Sequence, residues 1–176
     1  MVSAQAPFNL QDLHTADTHD RVRRRACTDP DFSAEFAAPL ERVWAMYADA
    51  RHLENVWGPP SHPATFVDHE LAVGKKTTYF MTGPEGQQYH GHWIITEVNK
   101  PHAFRFEDGF ADADFNPMPD MPVSISDYRF EPIPSGTRAT FVSTYASLEG
   151  LETVLKMGVI EGATLAINQI DGLLAS

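Results

Sequence analysis

Apolar and polar residues alternate through most of this chain, until a helical stripe takes over near its end. Phe32, Ala34 and Phe36 alternate with Ser33, Glu35 and Ala37, which predicts a strand. Pro39 stops that strand and suits the first turn of a helix, in which Leu40, Val43, Trp44 and Tyr47 form an apolar face. A second short helix is expected from His52 to Val56, ended by Trp57-Gly58-Pro59-Pro60. Strand patterns then run over Ala64 to Leu71, Lys75 to Thr82 and Gln87 to Val98, with Gly83-Pro84-Glu85-Gly86 as a turn. His102 to Glu107 follows, then a loop over Asp108 to Met121. Val123 to Phe130 changes parity partway, which a bulge near Ser126-Asp127 would reconcile. Thr137 to Ala146 is the last strand.

From Ser147, a plausible N-cap, to Leu174 the pattern predicts one long helix. Leu151, Leu155, Gly158, Gly162, Leu165, Ala166, Ile170 and Leu173 fall on one stripe. Each glycine costs a helix about 1 kcal/mol against alanine, so close approach to a sheet or ligand is expected at Gly158 and Gly162. The order is strand, two short helices, six strands and a long helix. A curved antiparallel sheet must cover its concave face, and the last helix is the element long enough to do so. The fold class is therefore α+β. Residues 1–27 are polar and aperiodic and read as an extension, with residues 28–176 as a single domain.

Composition narrows the partners. The 176 residues carry a net charge of −11, which disfavours nucleic acid and anionic membrane surfaces. The one basic cluster, Arg21, Arg23, Arg24 and Arg25, is too short to change this. The single cysteine, Cys27, cannot form an internal disulfide. The opening segment lacks a basic region followed by an apolar run, and no stretch is long enough for a membrane span, so a cytoplasmic location is expected.

Several short motifs stand in a fixed order. Phe36-Ala37-Ala38-Pro39 precedes Val43-Trp44, then Val56-Trp57-Gly58-Pro59, Tyr89-His90-Gly91, the Pro101 turn, and Gly158 with Glu161-Gly162. Over roughly residues 31–175 this resembles the START-like (SRPBCC) superfamily. More narrowly it resembles the family of homologues of the heat-shock-protein ATPase activator, with Val56 in place of the first Trp of that family's Trp-Trp-Gly-Pro turn. The resemblance implies a helix-grip fold, in which a curved sheet wraps a long C-terminal helix around a ligand cavity. Function does not follow from fold alone, because superfamily members bind diverse ligands and some are cyclases or hydrolases.

The expected function is binding of a small hydrophobic or amphipathic molecule between sheet and helix. Trp57, Tyr79, Tyr89, Trp93, Phe104, Phe130, Met157 and Glu161 are its candidate ligand-binding residues, chosen by strand parity and by position beside the glycine stripe. The alternative is an enzyme in the same cavity, a polyketide-type cyclase or a hydrolase, with Glu161, Tyr89 or a histidine as acid or base. A co-chaperone role is a third reading, although residues 1–27 are too short for the additional N-terminal domain of the eukaryotic activator. No catalytic signature appears. No cofactor or metal is expected either. His90 and His92 share the face opposite Tyr89 and Trp93, which would turn them to solvent. Asp112, Asp114 and Asn116 fit the start of a calcium loop, but Pro117 and Val123 replace its required Gly and Glu, so a mobile acidic loop at the cavity mouth is expected instead. The oligomeric state stays open, a homodimer included.

Overall fold

The computed structural model describes residues 32–174; the expected extension at residues 1–27, Cys27 and the arginine cluster lie outside them. Strand β1 (Phe32–Phe36) leads into α1 (Leu40–Ala48) and the short α2 (Ala50–Leu53). Strands β2 (Ala64–Asp68), β3 (Lys76–Thr82), β4 (Gln88–Asn99), β5 (Ala103–Ala111), β6 (Val123–Ile133) and β7 (Gly136–Tyr145) follow, then α3 (Leu148–Lys156) and α4 (Val159–Leu174). The strands form one antiparallel sheet in the order β1-β7-β6-β5-β4-β3-β2.

Local chemistry starts each helix where the sequence places it. Pro39 holds the extended N-cap position of α1, and Asp49 caps α2 by accepting from the backbone N–H of Arg51 and His52. The Ser147 hydroxyl accepts from Gly150 N at 3.1 Å, capping α3 as its residue type suggests.

One side of the core is solid. Trp44 and Tyr47 of α1 press edge-on and tilted against Phe104, Phe130 and Phe141, and Ile167, Ile170 and Leu174 of α4 join the same cluster. The first helix therefore shares the covering of the concave face with the last. A second, smaller cluster gathers Tyr145, Leu151 and Val154 at the other end of the cover.

Several sequence expectations need correction. The terminal helix is not continuous: Met157 ends α3, and Gly158, at φ +80°, turns the chain into α4. That left-handed position, not proximity to the sheet, accounts for glycine there. The break also rotates the apolar face, so Leu151 and Val154 are buried while Leu155 is half-buried and Leu165 is exposed. No bulge interrupts β6, whose register is continuous with both neighbours. Its inward residues are instead Ser124, Ser126, Tyr128 and Phe130, and Val123 and Ile125 face out. Register shifts lie instead in β4, where Thr96 is the extra residue between the Ile95–Phe106 and Glu97–Arg105 pairs, and in β2, between Phe66 and Asp68.

The acidic segment is also placed differently. Strand β5 continues through Asp108 to Ala111, and the loop beyond folds over the convex face. Asp112 Oδ1 accepts from the backbone N–H of Asp114 and Asn116, both at 2.9 Å. Phe115 packs on His90, and Lys76 Nζ donates to the Phe115 carbonyl at 2.6 Å. The loop is thus a convex-side strap and not a cavity mouth. His90 and His92 do point away from the core, but His92 is buried, its ring lying over Gly109, and His90 is half-covered.

Candidate functional site

A group of inward positions in the middle of the sheet is polar where its neighbours are apolar. The register sets Trp93 beside Asp108, Asp108 beside Ser124, and Ser124 beside Tyr145. The next row carries Ile95, Phe106, Ser126 and Ser143. The serines form a chain, Ser124 Oγ to Ser126 Oγ at 3.2 Å and Ser126 Oγ to Ser143 Oγ at 3.0 Å. Phe104 and Phe106, on the same face of β5 as Asp108, belong to the core, so this carboxyl also points into the concave side.

Gly91 brings a second strand to Asp108. A Cβ at Gly91 would sit 2.5 Å from the Tyr79 ring and hydroxyl, so only glycine lets Tyr79 lie across β4. The Tyr79 hydroxyl then donates to Asp108 Oδ1 at 3.3 Å. Trp57, from the Trp-Gly-Pro turn, closes this side, with its ring 4.5 Å from Trp93 and 5.8 Å from Tyr79 between centroids. That turn is tied to α4, where Gln169 Nε2 donates to the Gly58 carbonyl at 2.8 Å.

Electrostatics single out Asp108. Burial pushes its carboxyl up from 3.8 to about 7, and hydrogen bonding from Tyr79 and Trp93 only partly opposes this. Trp93 Nε1 is buried without a well-aligned acceptor, so its pull on the carboxylate is the weaker of the two. Tyr145 is pushed up to about 12, first by burial and then by the Asp108 charge. Tyr128 is raised for the same two reasons, in the same order. Asp108 nonetheless keeps partial exposure, as do Ser143, Tyr128, Trp57 and Phe110.

The helical cover buries little over the first half of α4. Ala166 and Ile170 are buried, and Gly162 lies one turn before Ala166 on the same face of α4. A side chain at Gly162 would nevertheless meet nothing within 4 Å. No residue from Val159 to Leu165 is buried, although most are apolar. The first half of α4 therefore buries little beyond the contact of Val159 with the Tyr145 cluster, and Gly162 has open space around it, the opposite of the close approach expected from its helix penalty.

The structure brings together Trp57, Tyr79 and Trp93 of the sequence-predicted ligand residues. Phe104 and Phe130 sit further along the same face, inside the packed α1 cluster. Tyr89, Met157 and Glu161 are exposed, with Tyr89 against His62 near the end of β4. Sequence reading missed Asp108, Ser124, Ser126 and Ser143. The signal for Asp108 was the shared parity of Phe104, Phe106, Asp108 and Phe110, overridden by the turn-like Asp-Gly pair. Two surface hollows, of about 600 and about 360 Å³, lie by α1 and contain none of these residues.

A seven-stranded antiparallel sheet with a helical cover and an amphipathic inner face defines a helix-grip protein of the START-like superfamily. Comparison with known families is specific: the model described as Activator of Hsp90 ATPase homolog 1-like protein matches residues 37–175, and the chain belongs to that family. It is similar to the crystal structure of protein Ms6760 from Mycobacterium smegmatis, with 62% identity over 85% of this chain and 91% of that one, and a TM-score of 0.78. A solution structure of a protein from Arthrobacter aurescens is 42% identical over 86% of this chain and 87% of that one, at a TM-score of 0.81. A Rhodobacter sphaeroides protein at 21% identity, covering 85% and 93% of the two chains with a TM-score of 0.73, shares the fold. No curated protein matches the sequence. No helix among the described residues is long and apolar enough to cross a membrane.

Proposed function

We propose that this protein binds a small amphipathic molecule between the concave face of the sheet and the first half of α4. The observation that carries this reading is a polar group set in an aromatic wall beneath a helix segment that does not pack on it. Folding would ordinarily fill such a space or line it with apolar residues, because buried hydroxyls and carboxyls cost free energy unless they are paired. A ligand with an apolar body and a polar end suits both halves: Trp57, Trp93 and Phe106 offer the apolar wall, and Asp108, Tyr79 and the serine chain offer hydrogen-bonding groups.

The test uses the gap itself. A hydrophobic fluorescent probe should bind the native protein, and Gly162→Leu, which fills the gap without touching the core, should weaken that binding by about tenfold or more, ~1.4 kcal/mol. Equal binding by both proteins would place the probe elsewhere and count against the reading. Native mass spectrometry of freshly purified protein gives a second readout, a ligand mass retained by the native protein and lost from Gly162→Leu.

A catalytic use of the same cleft is favoured by one observation. A carboxyl with its acidity near 7 can both give and take a proton at neutral pH, as general acid–base catalysis requires. In that case Asp108, and not Glu161 or Tyr89, is the group to substitute, and Asp108→Asn should abolish turnover of any substrate found.

A further inference from the structure

Asp108 differs from the other acids that hold charged partners in this protein. Glu54, Glu70, Glu97, Asp127, Glu35 and Glu131 each pair with an arginine or lysine, and all of those cations are at least partly exposed. Among the described residues no such bridge reaches Asp108; its neighbours are a tyrosine hydroxyl and an indole. A carboxylate has two oxygens and roughly four acceptor sites. One contact at 3.3 Å and one poorly aligned N–H leave most of that capacity without a protein partner among the described residues.

The surroundings are those that stabilise a cation. Tyr79, Trp93 and Trp57 crowd together beside the carboxyl, and Tyr128 and Tyr145 feel its charge from the other side. Ring faces attract an ammonium group, more strongly when it is desolvated. Ser124 and Ser126 supply hydroxyl oxygens that can accept its remaining N–H groups. An anionic head group would meet like charge at this point, and a neutral one would leave a buried carboxyl without a counter-ion. The net charge of −11 adds a long-range bias toward cations.

We infer that the ligand of this cleft is an amphipathic amine, its ammonium group held against Asp108 among the aromatic rings and its apolar chain lying beneath the first half of α4. This rests on the cleft being a binding site at all, and the experiment separates the two claims. Phenylbutylamine, phenylbutanol and phenylbutyrate share one apolar body and differ in head-group charge. The three tryptophans give three indole N–H signals in a nitrogen-15 NMR spectrum, and Trp57 and Trp93 report on the site directly.

At about pH 8 the amine should shift the Trp93 indole signal and bind at least about tenfold more tightly than the alcohol, a difference of ~1.4 kcal/mol. The butyrate should bind most weakly. Asp108→Asn should bring the amine's affinity down to that of the alcohol. In the unsubstituted protein, lowering the pH to about 5 should remove the same advantage, because Asp108 becomes neutral while the amine stays charged. An amine that binds no better than the alcohol overturns the inference and leaves the cleft reading standing. So does an advantage that survives both Asp108→Asn and low pH, since bulk charge would then explain it. If none of the three probes moves the Trp57 or Trp93 signals, both claims fall.

Discussion

Replacing Asp108 by asparagine should stabilise this protein at alkaline pH and leave it almost unchanged in mild acid. In the folded state the carboxyl holds its proton to about 7, against an ordinary value of 3.8. Between those limits the folded protein binds more protons than the unfolded chain, so its stability falls as pH rises and levels off above about 7. Each pH unit of that interval is worth about 1.4 kcal/mol, which over the whole interval gives an upper figure of about 4 kcal/mol. Asp108 keeps partial solvent access, so about 2–4 kcal/mol is the expected penalty at about pH 8. Asparagine has the same shape and no charge. Urea denaturation of both proteins at about pH 4.5, 6 and 8 measures the difference, and comparing across pH cancels any fixed effect of the amide. The variant should gain about 2–4 kcal/mol on the unsubstituted protein between the lowest and highest pH. A difference that is flat with pH, or that favours aspartate as pH rises, would refute the placement of this carboxyl in a desolvated site.

Other expectations follow from the same geometry. Tyr79→Phe removes a hydrogen bond that favours the carboxylate, so the Asp108 midpoint should move above about 7 when followed by carbon-13 NMR of the carboxyl; a midpoint that falls would contradict the contact. Phe104→Ala empties a fully packed site between α1 and the sheet and should cost about 3–5 kcal/mol in denaturant melts, whereas a loss below about 1 would mean that the site is a cavity. Gly158→Ala should destabilise by about 1–2 kcal/mol because of its left-handed backbone, while Gly162→Ala should stabilise by up to about 1 kcal/mol; the reverse order in thermal melts would argue for one continuous helix.

The elements were legible where chemistry acts locally. Pro39, Ser147 and the Gly83–Gly86 turn are read directly from residue type, and strict alternation gave most of the strands. The family was legible because its turns and glycines recur in a fixed order, and the match to residues 37–175 bears that out. The site was only partly legible. An apolar pattern finds walls such as Trp57, Tyr79 and Trp93, but polar residues on an inner face read as surface or loop, as happened with Asp108 and Ser126. The two parities in β6 were resolved by assuming a bulge, when the simpler answer was that serines face in and Val123 and Ile125 face out. A helix stripe likewise cannot show whether a glycine meets a neighbour or empty space. That depends on the break at Gly158, a backbone event with no periodic signature.

The cover is held at two ends. Leu151 and Val154 anchor α3 beside Tyr145, and Ile167, Ile170 and Leu174 anchor the far end of α4 in the α1 cluster, with little attachment between. Such a span can vary in sequence with little danger to the fold, because residues that are not fully buried contribute less to global stability. Under the proposed binding role, substitutions at the half-buried Gly162 or Ala163 would change what fits beneath while the sheet and both anchors stay as they are. The architecture thereby separates the residues that keep the protein folded from a stretch that tolerates change, and under the proposed binding role that stretch is where specificity could be altered at little thermodynamic risk.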